Sequence, residues 1–231
     1  LYYEDLADEF AGLLRNMPFP YDLFVSVKDE IGRRTCSDRF SSLPMLGQLT
    51  VEQVPNRGRD LAPMFCTFGS RLKTYDFIAH LHGKKSLYNS GATTGWRQYL
   101  CDGLLGSPER IRRIFSLMQG EVPKGIVYPQ NYHLVPHFAN TWLANRSGGA
   151  EWCARLGIAP PHGYFDFPVG TMFWARGAAL RPLFDVGIVI EDFAVEEGQT
   201  DGTLAHCLER RLVLVSRHQG YPAAIIRDQQ H

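Results

Sequence analysis

Apolar runs of strand length alternate with helix-period segments along almost the whole chain, which restricts it to α/β architectures in which helices cover a sheet. Leu6, Phe10, Leu13, Leu14 and Met17 mark an amphipathic helix that must stop before Pro18 and Pro20, and Tyr21 to Val27 then reads as a buried strand. A weaker helix around 40–46 and a strand over 49–54 follow. The turn Asn56-Arg57-Gly58-Arg59-Asp60 leads into a helix over 61–72, and the next strand covers 76–82. Beyond a Gly/Asn/Ser/Thr-rich loop that ends near Gly95, helices are expected at 96–104 and 108–118. The second has Ser107 as cap, Pro108 at its first position and Glu109 in its first turn. A strand at 126–128, a helix over 138–156 broken at Gly148-Gly149, an extended segment at 165–175, a short helix at 178–184 and a last strand at 212–216 complete the pattern. The expectation is a three-layer α/β fold with a mostly parallel sheet, built as one domain over 1–231. The opening on a helix, with no strand before it, leads to the expectation that a first strand precedes Leu1.

At 231 residues, 45% hydrophobic and 21% charged, the chain can bury a substantial core, so disorder is not the reading. The 24 basic and 24 acidic residues cancel, leaving no global field to recruit nucleic acid, and any anion must be bound locally. The five cysteines are scattered and show no CxxC pair of the kind used by structural zinc. Reduced thiols in a cytoplasmic protein fit this usage. No apolar stretch approaches the roughly 20 residues of a membrane span, although a lipid-linked substrate can bring such a protein to the cytoplasmic face of a membrane.

Three polar clusters stand where open α/β sheets place ligands, at the carboxyl ends of strands or at helix entries. The densest is Glu196-Glu197-Gly198-Gln199-Thr200-Asp201, followed by His206, Glu209 and Arg210 on an apolar-periodic helix. Helix N-terminal amides favour such acids, and Thr200 or Asp201 can cap. A capped surface helix with ordinary ion pairs explains the spacing equally well. In the second cluster His80, His82, Lys84 and Lys85 gather nitrogen donors around Gly83, a set suited to a diphosphate. A solvated basic loop with one satisfied core histidine is the alternative, and the lysines disfavour a bound cation. The third is Asn56 to Asp60, where Asn56, Arg59 and Asp60 can face a nucleotide, or Asp60 can simply cap. Trp96, Gly170 and Thr171 are candidates for an acceptor pocket, and Trp142 is a further candidate to stack on a sugar. His133, His137 and His162 have no nucleophile–base spacing and read as structural. There is no GxGxxG and no GxxxxGK[ST], so the dinucleotide and P-loop classes lose support.

Taken in order, Asn-Arg-Gly-Arg-Asp (56–60), Tyr-Asp-Phe-Ile-Ala-His-Leu-His-Gly-Lys-Lys-Ser (75–86), Trp-Arg (96–97), Leu-Leu-Gly-Ser (104–107), Gly-Thr-Met-Phe-Trp (170–174) and Glu-Gly-Gln-Thr-Asp-Gly-Thr-Leu-Ala-His-Cys-Leu-Glu-Arg (197–210) resemble the rhamnan synthesis protein F family. The resemblance implies a bacterial glycosyltransferase of cell-surface polysaccharide or O-antigen assembly, with an A-type, Rossmann-like nucleotide-sugar-binding domain. It further implies a nucleotide sugar as donor and a glycan or lipid-linked glycan as acceptor. A-type enzymes commonly carry an Asp-x-Asp metal motif after a central strand. His80-Leu-His82-Gly-Lys84-Lys85 occupies the corresponding place, so donor binding is expected to need no metal or other cofactor.

The expected reaction is inverting transfer of a sugar, L-rhamnose from its dTDP-activated form, with Glu197 as base and Asp201 as the second candidate. His80, His82, Lys84 and Lys85 take the donor diphosphate, while Asn56, Arg59, Asp60, Gln199, His206 and Arg210 contact nucleotide or sugar. Two alternatives belong to other classes: a noncatalytic nucleotide- or glycan-binding module of a multidomain synthase, and a metal-dependent hydrolase using the histidines and acids.

Overall fold

The computed structural model describes residues 1–83 and 92–227, with backbone alone at 92–94. The chain divides into two compact units, one drawn from Leu1–Pro55 and Leu81–Ser116, the other from Asn56–His80 and Leu117–His231.

In the first unit, α1 (Ala7–Leu14) buries Phe10, Ala11 and Leu14, and β1 (Tyr21–Val27) follows the two prolines as expected. The helix between the strands is α2 (Glu30–Phe40), ten residues earlier than the sequence reading placed it, and 46–53 is strand β2 (Leu46–Gln53). Its apolar stripe is thin, with only Gly32, Cys36 and Phe40 buried, so periodicity alone does not reveal it. Local chemistry does: Asp29 caps the helix by accepting from the Gly32 amide at 2.8 Å, and Glu30 pairs with Arg33 and Arg34 one turn on. β1 and β2 pair in parallel. The helices α4 (Ala92–Leu105) and α5 (Pro108–Gln119) complete the unit, and Ser107 caps α5 through the Arg110 amide. The Arg97 guanidinium, 8% exposed, grips Glu9 of α1 with two hydrogen bonds of 3.0 and 2.9 Å.

The second unit opens with a helical segment over 61–72. It contains a π turn at Pro63–Thr67 and ends in the short helix α3 (Gly69–Leu72). Its sheet has four strands in the order β3 (Phe77–His80), β5 (Phe173–Arg176), β4 (Ile126–Pro129) and β6 (Ala223–Ile226). β5 runs antiparallel to both neighbours, while β4 and β6 are parallel. The protein is therefore α/β, but the described strands form two sheets, one parallel and one mixed, in place of a single mostly parallel sheet.

The helices α7 (Gly177–Asp185) and α8 (Leu204–His218) pack on this sheet, and α6 (Arg146–Arg155) packs on α8. α6 runs straight through Gly148-Gly149. The missing side chain of Gly149 lets the Trp142 ring lie against the helix, so the pair marks a close contact and not a break. α8 continues through 212–216, where β-branched residues had read as a strand. Leu208, Leu212, Val213 and Val215 are buried in the core, each contributing about 1.5–3 kcal/mol of apolar burial, which overrides local strand propensity. The true last strand follows Pro222.

Candidate functional site

The site lies in the second unit and begins at the turn 57–60. Gly58 has φ of 65°, and a Cβ there would lie 2.5 Å from both Ala62 and the Phe193 ring, so only glycine fits. Arg57 forms an isolated antiparallel bridge with Val195, bringing the turn alongside the acidic segment. Arg59 takes the left-handed region as well, with φ of 56°, unusual for a side chain of its size and held only where surroundings enforce it.

Those surroundings are the acidic segment. The Arg59 guanidinium pairs with Glu196 at 3.4 Å, donates to the Gln199 carbonyl, and lies 2.9 Å from Nε2 of His206. On the other side of the ring, Nδ1 lies 2.8 Å from Oγ1 of Thr203 and 3.4 Å from the Thr203 amide, which donates to it. Thr203, rather than Thr200 or Asp201, is thus the N-cap residue of α8. Gln199 closes the loop on itself, its Nε2 donating to the Val195 carbonyl at 2.7 Å and its Oε1 accepting from the Glu197 amide at 3.0 Å. This leaves the Glu197 side chain exposed on a hydrogen-bonded turn, before Gly198 with φ of 82°. None of the described contacts involves its carboxylate.

Asp201 has the opposite environment. Its carboxylate accepts from Asn145 Nδ2 at 2.6 Å and from the Ala144 amide at 3.2 Å, and lies 3.5 Å from the Arg210 guanidinium. Burial pushes its pKa up. The Asn145 bond, the Arg210 charge and the Ala144 and Gly202 amides together outweigh that, holding it below the usual 3.8. Arg210, 4% exposed, also donates to the carbonyls of Thr141 and His206 and stacks over Phe167. Asp201 and Arg210 therefore tie the segment 141–145 to α8.

A third group surrounds the entry to β5. Gly170 and Thr171 both have positive φ, 96° and 58°, and Glu209 secures them by accepting from the Gly170 amide at 2.8 Å and the Thr171 hydroxyl at 3.4 Å. The Thr171 carbonyl faces His80 Nδ1 at 2.6 Å, and the Asp60 carbonyl faces Nε2 at 3.3 Å. Both ring nitrogens of His80 are thus turned to backbone oxygens, and the ring packs on Phe173, its cross-strand partner.

Arg59, Asp60, His80, Gly170, Thr171, Glu197, Gln199, Asp201, His206 and Arg210 accordingly belong to one unit and are joined by the contacts above, apart from Glu197, which stands on the same turn. Asn56 is exposed at the start of that unit. His82 and the partly buried Trp96 belong to the other unit, the strand having ended at His80. Lys84 and Lys85 lie outside the described residues. Trp142 is buried, its indole donating to the Pro161 carbonyl. Sequence reasoning missed Glu196, Glu209 and Asn145 as site residues. The first two lie within the acidic run and helix already singled out, whereas nothing local announces that Asn145 meets a residue 56 positions later. Among the described residues no group of three or more His, Cys, Asp or Glu is placed to hold a metal ion, and no helix is long and apolar enough to cross a membrane.

The two sheets and this polar network define an α/β protein with a carboxylate-bearing turn fixed at a helix entry. The sequence profile of the rhamnan synthesis protein F family matches residues 1–221, and the chain belongs to that family. Among curated proteins it is 34% identical over 177 residues to the uncharacterized protein WxcX of Xanthomonas campestris pv. campestris, in two strains. The match covers 75% of this chain and 25% of WxcX, so the chain spans about a quarter of the length of these relatives. No solved structure matches.

Proposed function

We propose that the chain is an inverting, metal-independent glycosyltransferase of bacterial surface-polysaccharide synthesis, with an A-type nucleotide-sugar-binding fold, moving L-rhamnose from dTDP-rhamnose to a growing glycan. The observation that carries this reading is the exposed Glu197 carboxylate, free of described contacts and standing on a turn that Arg59, Gln199 and His206 hold by hydrogen bonds. Membership in the rhamnan synthesis protein F family supports surface-polysaccharide synthesis as the setting. In the transfer, the acceptor hydroxyl oxygen bonds to the anomeric carbon as the bond from that carbon to the diphosphate breaks. The leaving nucleoside diphosphate keeps the electron pair, and the hydroxyl proton passes to Glu197. Asp201, already saturated by donors and held in its charged form, suits positioning better than proton capture. Arg59, His206 and Arg210 hold the turn. The diphosphate role falls to His82, Lys84 and Lys85 on charge and sequence alone, a fixed-cation substitute for a divalent metal; Asn56 is exposed for the nucleotide.

The test is release of nucleoside diphosphate from a panel of nucleotide sugars, with and without EDTA. Release from dTDP-rhamnose that EDTA leaves unchanged supports the reading. Nucleotide affinity without release assigns the chain to the noncatalytic binding modules, and activity lost to EDTA and restored by manganese overturns metal independence.

A further inference from the structure

Two segments of the second unit contain no Asp, Glu, Lys or Arg: 125–145, which comprises β4 and the loop after it, and 156–165. They run side by side, the Phe165 amide donating to the Asn140 carbonyl at 2.9 Å and the Asn140 side chain returning to the Phe165 carbonyl. Their buried side is firmly anchored, Trp142 packing on Phe165 with ring centroids 4.9 Å apart and bonding to Pro161. Their outer side is aromatic and exposed: Phe138 is 58% and Tyr164 61% accessible, and the Tyr164 ring lies 4.5 Å from that of His137. The first segment also exposes Leu134 at 58% and Leu143 at 44%, and exposed apolar groups that are clustered, unlike single ones, mark interaction sites.

We propose that Phe138, Tyr164 and His137 form a binding platform for an uncharged glycan, the acceptor chain, beside the Asp201 end of the candidate site. The inference rests on the reading of this chain as one that acts on a glycan, and names the surface that receives it. Ring faces pack on the apolar C–H faces of sugars and the His137 imidazole offers hydrogen bonding to hydroxyls, while Asn131, Asn140 and Thr141 bond within the two segments and hold the rings in place. The lack of charge selects a neutral polymer. It also argues against an anionic membrane, which is met by lysine and arginine. Continuity with the site is direct, because Thr141 accepts from Arg210 and Asn145 holds Asp201, so the loop that displays Phe138 is fastened to the helix entry that carries the acids.

The experiment is calorimetric titration of the chain with a neutral rhamnose tetrasaccharide, with a uronic-acid tetrasaccharide and with phosphatidylethanolamine/phosphatidylglycerol vesicles. Wild type is expected to bind the neutral sugar, and Phe138→Ala with Tyr164→Ala is expected to weaken it by about tenfold or more. Thermal midpoint and dTDP affinity are expected to stay unchanged, and Tyr164→Trp to retain binding. No binding of the neutral sugar by wild type, equal binding by the double variant, or ring-dependent capture of vesicles alone would each overturn the platform. Ring-dependent sugar binding in a chain that releases no nucleoside diphosphate would keep the platform and reject the transferase.

Discussion

Arg59 and His206, 147 residues apart in sequence, meet at 2.9 Å, and through that contact a turn with a strained backbone holds the entry of α8. The same guanidinium reaches Glu196 and the Gln199 carbonyl, so one side chain fixes the segment that displays Glu197.

Arg59→Lys removes this fork while keeping the charge. Losing two or three partly buried hydrogen bonds is expected to cost about 1–3 kcal/mol, and hydrogen exchange at 196–201 should accelerate while the strands of the four-stranded sheet stay protected. Unchanged exchange in that segment would show that the turn is held by other means.

Asp201 ties stability to acid. Its folded pKa lies below its unfolded value, so its contribution is fully present above about pH 4 and is lost as pH falls through the folded value. Urea midpoints measured from about pH 7 down to about pH 3 should fall more steeply for wild type than for Asp201→Asn. Parallel curves would contradict the assigned donors.

Arg211 is wholly buried, and none of its three nitrogens has a nitrogen or oxygen hydrogen-bond partner among the described residues, the Cys207 thiol being a weak acceptor beside it. The Trp152 ring and the Cys207 and Cys153 thiols surround it, and burial pushes its pKa down. Arg211→Met, which keeps the volume without the desolvated charge, is expected to leave the thermal midpoint equal or raised. A loss of more than about 2 kcal/mol would reveal an anion that the guanidinium serves.

All five cysteines are free, and four are buried. Burial, reinforced by nearby acids, pushes the half-buried Cys66 up to about 11 and Cys101 to about 12. Iodoacetamide at about pH 8 should therefore leave the native protein nearly unmodified and label every cysteine in urea, since the thiolate is the reactive form. Fast labelling of the folded chain would contradict this packing.

The alternation of elements was legible because apolar period is a local signal, and so was the Ser107 cap, which needs only its next three residues. α2 was misplaced because its stability comes from a cap and charge pairs more than from an apolar stripe. The 212–216 segment was misread because tertiary burial, not propensity, decides its state. In the site, the acidic run before α8 could be seen as dense in carboxylates. Which of them is tethered could not, since the answer depends on Asn145 and Arg59, far away in sequence. The His80 ring faces the Thr171 carbonyl for a related reason: β3 pairs antiparallel with β5, a partnership that alternation does not specify.

The central claim is that Glu197 takes the acceptor proton. Turnover of dTDP-rhamnose by Glu197→Gln, with dTDP affinity and thermal midpoint measured on the same preparation, tests it most directly. The account expects turnover to fall by about a hundredfold or more at unchanged affinity and midpoint; turnover within about threefold of wild type would contradict it.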